Sequence, residues 1–271
     1  MSASATPPHR TALITGASAG IGAAFAHLFA EQGFHLILTA RRADRLEALA
    51  RTLRTRWGIE ALVLPDDLSD PGAPARLADE VARAGLAVDA LVNNAGYGVP
   101  GRYLASPWER HRDFLQVMVT APAELAHRFV GPMIERGYGR VINVASLAGL
   151  VPATAGHTLY GPSKALLIKF SEALAIEVVG TGVHVTTVCP GFTETEFHDV
   201  ALTRDVVKRL PRWMWMQADE VARQGFDAVM AGRPIVVTGR VNRAIAFLTR
   251  HLPLGLVHRA AHRQSRRYRR V

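Results

Sequence analysis

A tyrosine and a lysine stand four residues apart in the segment 160–164, which reads YGPSK. On a helix, residues four apart share one face, so the Lys164 ammonium would lie beside the Tyr160 phenol. A neighbouring cation favours the phenolate and lowers the phenol pKa from about 10 toward neutrality. Tyr160 is therefore a candidate proton donor or acceptor for a carbonyl/alcohol pair. Ser146 could hydrogen-bond the oxygen of such a substrate and stabilise charge developing on it.

A glycine-rich turn, TGASAGIG at residues 15–22, precedes a helical pattern near the start of the chain. Glycines let a backbone turn sharply and approach a ligand closely, and the free N–H groups of a helix N-terminus attract phosphate. A flexible turn without a ligand is the alternative that this motif alone leaves open. The candidate phosphate-binding residues are Gly16, Ser18, Gly20, Ile21 and Gly22.

Other short motifs follow in order: NNAG at 93–96, Ser146, YGPSK at 160–164 and Pro190-Gly191. Together with the glycine turn they resemble the classical short-chain dehydrogenase/reductase family over roughly residues 10 to 240. The resemblance implies hydride transfer between a nicotinamide and a substrate carbon, with Ser146, Tyr160 and Lys164 as catalytic residues. Lys164 would also hold the nicotinamide ribose. Further implied cofactor contacts are Asp67, Leu68, Asn94, Ala95, Gly96, Pro190, Gly191, Thr193 and Thr195.

The choice of cofactor is predicted from charge at the end of the second predicted strand. An enzyme that uses NAD places an acid there, on the ribose 2′-hydroxyl. This chain reads Thr39-Ala40-Arg41-Arg42, with no carboxylate. Guanidinium groups can pair with a 2′-phosphate through charge-assisted hydrogen bonds. We therefore expect NADP(H) in preference to NAD(H), with Arg41 as the main contact and Arg42 as a second one.

One residue departs from the family pattern. Many classical members carry an asparagine in the helix after the NNAG motif, where its backbone and side chain help to hold a proton-relaying water. Met118 stands at that position, and a thioether is only a weak acceptor. A rerouted relay, substitution by Thr120, or a nucleotide-binding regulatory protein without turnover would each explain it. The presence of Ser146, Tyr160 and Lys164 favours retained activity.

Short apolar runs alternate with helical patterns, which indicates repeated strand–helix units around a parallel sheet. We expect an α/β fold: a Rossmann-like, doubly wound parallel sheet of about seven strands with helices on both faces. The predicted strands are 11–15, 35–39, 61–64, 90–93, 140–145, 184–188 and 235–238. The predicted helices are 20–32, 43–56, 72–84, 107–136, 160–179 and 218–231. Glycines typical of helix C-caps follow them, at Gly33, Gly58, Gly85, Gly137, Gly180 and Gly232.

Residues 190–217 are too long for an ordinary connection and are typical of a lid or binding loop. Within them, residues 213–216 read WMWM and could line an apolar substrate pocket, pack internally or contact another subunit. Cys189 is expected to be a small buried residue rather than a nucleophile. No set of cysteines, histidines and carboxylates predicts a metal site, and His258 with His262 lacks further ligands.

Composition and charge define the domain organisation. The 271 residues are 49% hydrophobic and 20% charged, which suits one globular domain at 11–240, after a short start at 1–10. One cysteine excludes a disulfide framework, and residues 1–10 do not resemble a signal peptide, so a cytoplasmic protein is expected. Residues 11–30 lack charge, but their small residues and glycine spacing favour the turn and helix over a membrane span.

The basic charge lies in the C-terminal extension, 241–271, and just before it. Ten arginines and no acidic residue lie in residues 228–271, whereas the rest of the chain holds 22 basic and 23 acidic side chains. Arginines mixed with apolar residues could contact an anionic membrane surface, or the tail could simply be solvated. No aromatic platform predicts specific nucleic-acid binding. The expected partners are a small carbonyl or alcohol substrate and, from the family resemblance, further copies in a homodimer or homotetramer.

Overall fold

The computed structural model describes residues 10–153, 156, 158–196, 211–252 and 255. Seven of the strands in these residues form one parallel sheet in the order β3-β2-β1-β4-β5-β6-β9. This order confirms the predicted doubly wound, Rossmann-like sheet, and each predicted strand agrees within one residue at either end. The strands are β1 (Thr11–Thr15), β2 (His35–Thr39), β3 (Ala61–Val63), β4 (Ala90–Asn93), β5 (Gly139–Val144), β6 (Val183–Cys189), β7 (Phe192–Glu194), β8 (Trp215–Gln217) and β9 (Ile235–Val237).

Helices cover both faces of the sheet, as expected. They are α1 (Gly20–Glu31), α2 (Ala43–Trp57), α3 (Ala73–Arg83), α4 (Trp108–Leu115), α5 (Ala121–Glu135), α6 (Tyr160–Glu177), α7 (Ala218–Met230) and α8 (Arg240–His251). Helices α1, α2 and α7 pack on one face, and α3, α5 and α6 pack on the other. The six glycines expected to end helices all have φ between +65° and +81°, where glycine avoids the steric cost of a Cβ.

The strand order reverses between β1 and β4, because the chain first builds outward to β3 and then returns to the other side of β1. The loops after these two strands therefore leave in opposite directions and open a crevice at their carboxyl ends. The aromatic core beside β1 fixes α1 and α7. Phe29 is fully buried, and its ring meets those of Phe34 and Phe226 edge-on at centroid distances of 5.0 Å.

The single helix predicted over 107–136 is wrong in one respect. A five-residue π-helical turn, Gln116–Thr120, separates α4 from α5. The amide of Ala121 bonds to the carbonyl of Gln116, five residues earlier. Pro122 accounts for the change, because a proline has no N–H to donate to the carbonyl four residues before it, that of Met118. Wider turns of this kind are found most often at functional sites.

The segment 190–217 contains regular structure that the sequence did not predict. Strands β7 and β8 form a small two-stranded parallel sheet, in which Phe192 pairs with Trp215 and Thr193 with Met216. The rings of Phe192 and Trp215 pack together at a centroid distance of 5.6 Å. The intervening residues 197–210 lie outside the described residues.

The boundary expected between 240 and 241 falls inside α8, which begins at Arg240. Buried Asn242 fixes this helix, because its amide donates to the Thr238 carbonyl at 2.8 Å. No helix in the described part of the chain is long and apolar enough to cross a membrane. Outside the described residues lie positions 1–9 of the N-terminal segment expected at 1–10, the pair His258 and His262, and the arginines from 259 onward.

Replacing Phe29 by alanine should lower the free energy of unfolding by about 4 kcal/mol, since it leaves a cavity between three packed rings. Urea unfolding followed by circular dichroism measures this change. Phe247→Ala is the matched control, because that ring is 62% exposed, and its effect should stay within about 0.5 kcal/mol. Equal effects of the two substitutions would contradict the assignment of Phe29 to the core.

Candidate active site

A cavity of about 960 Å³ opens at the carboxyl ends of the parallel strands, over the crevice between β1 and β4. Of the site residues predicted from the sequence, all except Gly22 line it. These are Gly16, Ser18, Gly20, Ile21, Arg41, Arg42, Asp67, Leu68, Asn94, Ala95, Gly96, Ser146, Tyr160, Lys164, Pro190, Gly191, Thr193 and Thr195. The fold thus brings together residues that are spread over 180 positions of sequence.

The glycine turn forms one wall of this cavity. Gly16 has φ +66° and Gly20 has φ +56°, which are conformations that favour glycine. Gly22 serves packing rather than lining: a Cβ there would lie 2.3 Å from the Gly16 carbonyl oxygen and 2.5 Å from the Asn94 amide. The first turn of α1 has neither a side-chain cap nor an acidic residue, so its N–H groups remain available to a phosphate.

Hydrogen bonds across the crevice hold the turn in place. The amides of Asn94 and Ala95 donate to the Thr15 hydroxyl oxygen at 2.9 and 3.0 Å. The Asn94 side-chain amide donates to the carbonyls of Thr15 and Gly16 at 2.9 and 3.3 Å. Asn94 therefore both lines the cavity and ties β1 to β4, where the resemblance implied only contact with a cofactor.

Ser146 and Tyr160 meet at the far end of the cavity. Ser146 follows β5, and Tyr160 is the first residue of α6. The Ser146 hydroxyl oxygen accepts from the Ala148 amide at 3.1 Å, which orients it, and its side chain is hydrogen-bonded to the Tyr160 hydroxyl. Two hydroxyl groups therefore face the same point, where a substrate oxygen could accept from both.

Lys164 is buried beneath Tyr160, with 5% of its surface exposed. Its Nζ donates to the Val144 carbonyl at 2.7 Å and lies 5.8 Å from the centroid of the Tyr160 ring. Burial disfavours the charged form and lowers the pKa of Lys164 to about 8. A lysine in this state can lose or gain a proton near neutral pH, which an exposed lysine cannot do.

The pKa of Tyr160 differs from the expectation. Burial raises it above its usual value, and the hydrogen bond from Ser146 opposes that rise only in part. The expected lowering by Lys164 is not found, because removing the phenolate from water outweighs an ammonium 5.8 Å from the ring centroid. The phenol therefore stays protonated at neutral pH in the free protein, which suits a proton donor.

Cys189 lies at the end of β6 and is fully buried, as expected. Burial raises the pKa of its thiol to about 12, so the reactive thiolate is not formed at neutral pH. Among the described residues, no group of three or more histidine, cysteine, aspartate and glutamate side chains could hold a metal ion.

A buried polar network behind the site was missed by the sequence analysis. The Asn93 side chain donates to the Asn143 side-chain oxygen at 2.9 Å and to the Pro122 carbonyl at 3.2 Å. Asn143 in turn donates to the Ser171 hydroxyl at 2.8 Å. The network links β4, β5, α5 and α6, and so fixes the helix that carries Tyr160 and Lys164. Only the first asparagine of the NNAG motif marks it in the sequence.

Met118 is buried in the π-helical turn and packs on Gly96, where a Cβ would lie 3.0 Å from its sulfur. Thr120, considered above as a polar substitute, is exposed and does not line the cavity. Met118 and Thr120 thus give no substitute for the usual asparagine amide. Gln116 brings an amide to the same turn, with its Nε2 buried and unpartnered among the described residues, but it does not line the cavity. The backbone of the turn differs from that of a regular α-helix, because Pro122 leaves the Met118 carbonyl without an α-helical donor.

The two arginines after β2 stand at the opposite end of the cavity from Tyr160. The Arg42 guanidinium donates to the Ser18 hydroxyl from Nε at 3.3 Å and from Nη2 at 3.1 Å. Arg41 is more exposed, and its side chain lies 4.0 Å from the Asp67 carboxylate. Arg42 is therefore joined to the glycine turn more closely than Arg41, which was the expected main contact.

These features fit a nicotinamide dinucleotide. The glycine turn offers free N–H groups where a pyrophosphate would lie, and side chains at Gly16 or Gly22 would clash with Asn94 and prevent the turn from packing in this position. Arg41, Arg42 and Ser18 would hold the adenosine end, and Tyr160 with Lys164 would hold the nicotinamide ribose. Residues of both groups line the same cavity.

Replacing Lys164 by methionine should stabilise the free protein by about 2 kcal/mol at pH 7. Burial of the ammonium costs roughly 3 kcal/mol for a pKa moved from 10.5 to about 8, and the lost hydrogen bond offsets about 1 kcal/mol. Because the unfolded chain binds more protons than the folded one between pH 8 and 10.5, the wild type gains about 3 kcal/mol there, and the Lys164→Met variant should become about 1 kcal/mol less stable than the wild type near pH 10.5.

Urea unfolding at pH 7 and pH 10.5 measures this difference, and comparison of the two proteins cancels the other titrating groups. Lys169→Met is the control, because this lysine lies exposed on the same helix and its loss should change stability by less than about 0.5 kcal/mol. A Lys164→Met variant that is less stable than the wild type at pH 7 would contradict the cost of burial.

Comparisons with known proteins agree with this site. The family described as short chain dehydrogenase matches residues 10–204. Sulfoacetaldehyde reductase 2 of Chromohalobacter salexigens is 38% identical over 190 residues, which cover 68% of this chain and 73% of that protein.

Two solved structures share the whole architecture. A short-chain dehydrogenase from Sphingobium yanoikuyae in complex with NADPH is 29% identical, with a TM-score of 0.79 over 90% of this chain and 96% of its own. One from Burkholderia phymatum in complex with NAD is 26% identical, with a TM-score of 0.79 over 89% and 92%. In sequence and in fold, the chain belongs to the short-chain dehydrogenase/reductase family.

Proposed function

We propose that this chain is an NADP(H)-preferring oxidoreductase that interconverts an apolar carbonyl compound and the corresponding alcohol. Its family consists of oxidoreductases that act on alcohol and carbonyl substrates with a nicotinamide cofactor. The observation that carries the proposal is the arrangement of Ser146, Tyr160 and Lys164 at one end of a cavity whose other end holds Arg41 and Arg42.

The chemistry at Tyr160 follows from its geometry. A bound nicotinamide supplies or accepts the hydride. In reduction, the Tyr160 hydroxyl donates its proton to the substrate oxygen while Ser146 donates a hydrogen bond to the same atom. Burial raises the pKa of Tyr160, so at neutral pH the phenol is in the protonated form from which reduction starts. Lys164 stabilises the phenolate left behind, because a buried cation interacts strongly with a nearby anion.

The proton that Tyr160 gives up must be replaced through Lys164, whose pKa of about 8 allows it to pass on a proton near neutral pH. The usual asparagine amide is missing at Met118, but Pro122 has no N–H with which to bond the carbonyl of Met118 as an α-helix would. A water bound to that carbonyl would keep a route from Lys164 toward solvent. This backbone route supports activity over the alternative of a nucleotide-binding regulatory protein without turnover.

Preference for NADP(H) is supported by Arg41 and Arg42, which stand where a ribose 2′-phosphate would lie. Ser18 adds a hydroxyl to the same place, within 3.1 Å of Arg42. The relatives do not decide the matter, because one is bound to NADPH and the other to NAD.

An apolar substrate is supported by the wall of the cavity near Tyr160. Apolar side chains from five separate segments line the cavity: Val117, Val151, Phe192, Met214 and Ile245. Arg110 also lines the cavity, and the related reductase from Chromohalobacter is named for a small anionic aldehyde. A small anionic aldehyde is therefore the comparison that tests this part of the proposal.

A second role is supported by α8. One face of this helix is exposed and carries both basic and apolar side chains: Arg240, Arg243, Ala244, Phe247, Leu248, His251 and Leu252. Its other face contributes Asn242, Ile245 and Thr249 to the cavity. Basic and apolar residues on one helix face suit the surface of an anionic membrane. We propose that α8 and the arginines after it hold this cytoplasmic protein on such a surface.

A homodimer or homotetramer is also proposed. Large apolar side chains are exposed on α5 at Ile134, on α6 at Leu166 and Ile176, and just after α6 at Val179. A second copy packed on these helices would cover them, as exposed apolar patches commonly mark interfaces between proteins.

Tyr160→Phe should lower the rate of NADPH oxidation by about a hundredfold or more, since the proton donor is lost while the cavity keeps its shape. The measurement is the initial rate of NADPH and NADH loss with bulky apolar ketones and with sulfoacetaldehyde. Tyr138→Phe is the matched control, because this tyrosine precedes the amino end of β5, on the side of the sheet away from the cavity.

The outcomes separate the parts of this proposal. Faster turnover with NADPH than with NADH supports the preference for NADP(H). Faster turnover with apolar ketones than with sulfoacetaldehyde supports the apolar substrate. Better turnover of sulfoacetaldehyde contradicts the apolar substrate and leaves the oxidoreductase intact. If NADPH binds but is not oxidised with any carbonyl compound, the result contradicts the proposed oxidoreductase activity and favours a nucleotide-binding regulatory protein.

Leu248→Glu should reduce binding to anionic vesicles by about tenfold, since it puts a charge where an apolar side chain would enter the lipid. The measurement is co-sedimentation with vesicles of phosphatidylserine and phosphatidylcholine, compared with phosphatidylcholine alone. Leu104→Glu is the control, because Leu104 is 90% exposed and lies outside α8. Equal sedimentation of the wild type and Leu248→Glu would rule out docking through α8.

A further inference from the structure

The Glu196 carboxylate forms ion pairs with two arginines, Arg42 and Arg45, at the adenosine end of the cavity. Its carboxylate accepts from Arg42 Nη1 at 2.9 Å and, with both oxygens, from Arg45 Nη1 at 2.8 Å. These contacts join positions more than 150 residues apart in sequence. The two guanidinium groups hold the pKa of Glu196 below its usual range, so the carboxylate is ionised at neutral pH.

Arg42 is shared between two partners. Its Nη1 faces Glu196, whereas its Nε and Nη2 face the Ser18 hydroxyl in the glycine turn. Every nitrogen of this guanidinium therefore has a partner within the protein. A phosphate that approaches Arg42 must share or displace one of them, because a guanidinium offers a fixed fork of five N–H groups.

The position of Glu196 is set by the residue before it. Thr195 packs against the glycine turn, since a Cβ at Gly20 would lie 3.0 Å from the Thr195 side chain. Both Thr195 and Glu196 line the cavity. The carboxylate is thus held beside the site of the cofactor by backbone packing as well as by its ion pairs.

The charges around this end of the cavity are nearly balanced. We define the adenosine-end cluster as Arg41, Arg42, Arg45, Asp67 and Glu196, which holds three cations and two anions. Asp67 lies 4.0 Å from Arg41, and Glu196 contacts the other two arginines. The attraction of this cluster for a phosphate is therefore weaker than three arginines alone would produce.

We propose that Glu196 is a specificity-determining residue that competes with the ribose 2′-phosphate for Arg42 and so limits the preference for NADP(H). The proposal rests on the proposed NADP(H) preference and adds to it the residue that moderates it. An internal carboxylate raises the cost of binding a phosphate to the same guanidinium and leaves a 2′-hydroxyl almost unaffected. Discrimination between NADP(H) and NAD(H) is the difference between their binding free energies. A carboxylate that weakens the binding of NADP(H) alone therefore reduces that difference.

The test measures binding of two adenosine nucleotides that differ by the 2′-phosphate, 2′,5′-ADP and 5′-AMP, by titration calorimetry at low ionic strength. Glu196→Gln keeps the size of the side chain and removes its charge. It should tighten 2′,5′-ADP binding by about fivefold, in the range expected for half-exposed ion pairs, and leave 5′-AMP binding unchanged. No turnover is needed for either measurement.

Glu194→Gln is the matched control. It removes the same charge two residues away, but Glu194 accepts from Gln217 at 2.7 Å and, among the described residues, from no arginine. Its effect on 2′,5′-ADP binding should stay below about twofold. A second comparison repeats Glu196→Gln in a chain that carries Arg42→Gln, where the gain should disappear because the shared guanidinium is gone.

Three results would overturn the proposal. The first is a Glu196→Gln variant that binds 2′,5′-ADP more weakly than the wild type or equally well, because Glu196 would then support Arg42 or leave it unaffected instead of competing for it. The second is a gain in 2′,5′-ADP affinity of equal size with Glu194→Gln, and the third is a gain with Glu196→Gln that persists without Arg42. Either would mean that the effect comes from overall charge and not from competition for Arg42. If the wild type does not prefer 2′,5′-ADP to 5′-AMP, the proposed NADP(H) preference fails, whereas the effect of Glu196→Gln on 2′,5′-ADP binding still decides whether Glu196 competes for Arg42.

Discussion

The active site depends on a single ammonium group that is held away from water. Lys164 lies beneath Tyr160 with one backbone carbonyl as its hydrogen-bond acceptor, and burial lowers its pKa to about 8. Such a charge destabilises the free protein, so the surrounding structure must hold it there. The buried network of Asn93, Asn143 and Ser171 does so by fastening α6 to the sheet. A bound nucleotide would add ribose hydroxyls as further acceptors, which makes occupancy of the cavity and stability of the site mutually supportive.

The cavity joins two halves of the fold that the chain builds separately. Residues before the reversal of strand order supply the glycine turn and the arginines, and residues after it supply Ser146, Tyr160 and Lys164. Asn94 connects the halves, because its side chain bonds to the carbonyls of the turn while its backbone bonds to Thr15. A small error in this connection would move the phosphate end of the cavity relative to the catalytic end.

The sequence predicted a doubly wound parallel sheet and the residues around the cavity, because strand periodicity and short motifs are local signals. It did not predict the π-helical turn, since the effect of Pro122 depends on a helix continuing on both sides of it. Nor could it predict that Glu196 meets Arg42 and Arg45, more than 150 residues away. The pKa of Tyr160 was predicted with the wrong sign because helical spacing indicates a neighbouring lysine but not the burial of both groups.

The replacement of an asparagine by Met118 is less severe than the two side chains suggest. A thioether cannot reproduce an amide, and no side chain of the π-helical turn takes its place in the cavity wall. A backbone carbonyl, however, is present whatever the side chain, and it accepts a new donor once its helical one is lost. Pro122 removes that donor for the Met118 carbonyl. In the proposed proton route, the availability of this acceptor therefore depends on a proline four residues later rather than on the residue that bears it.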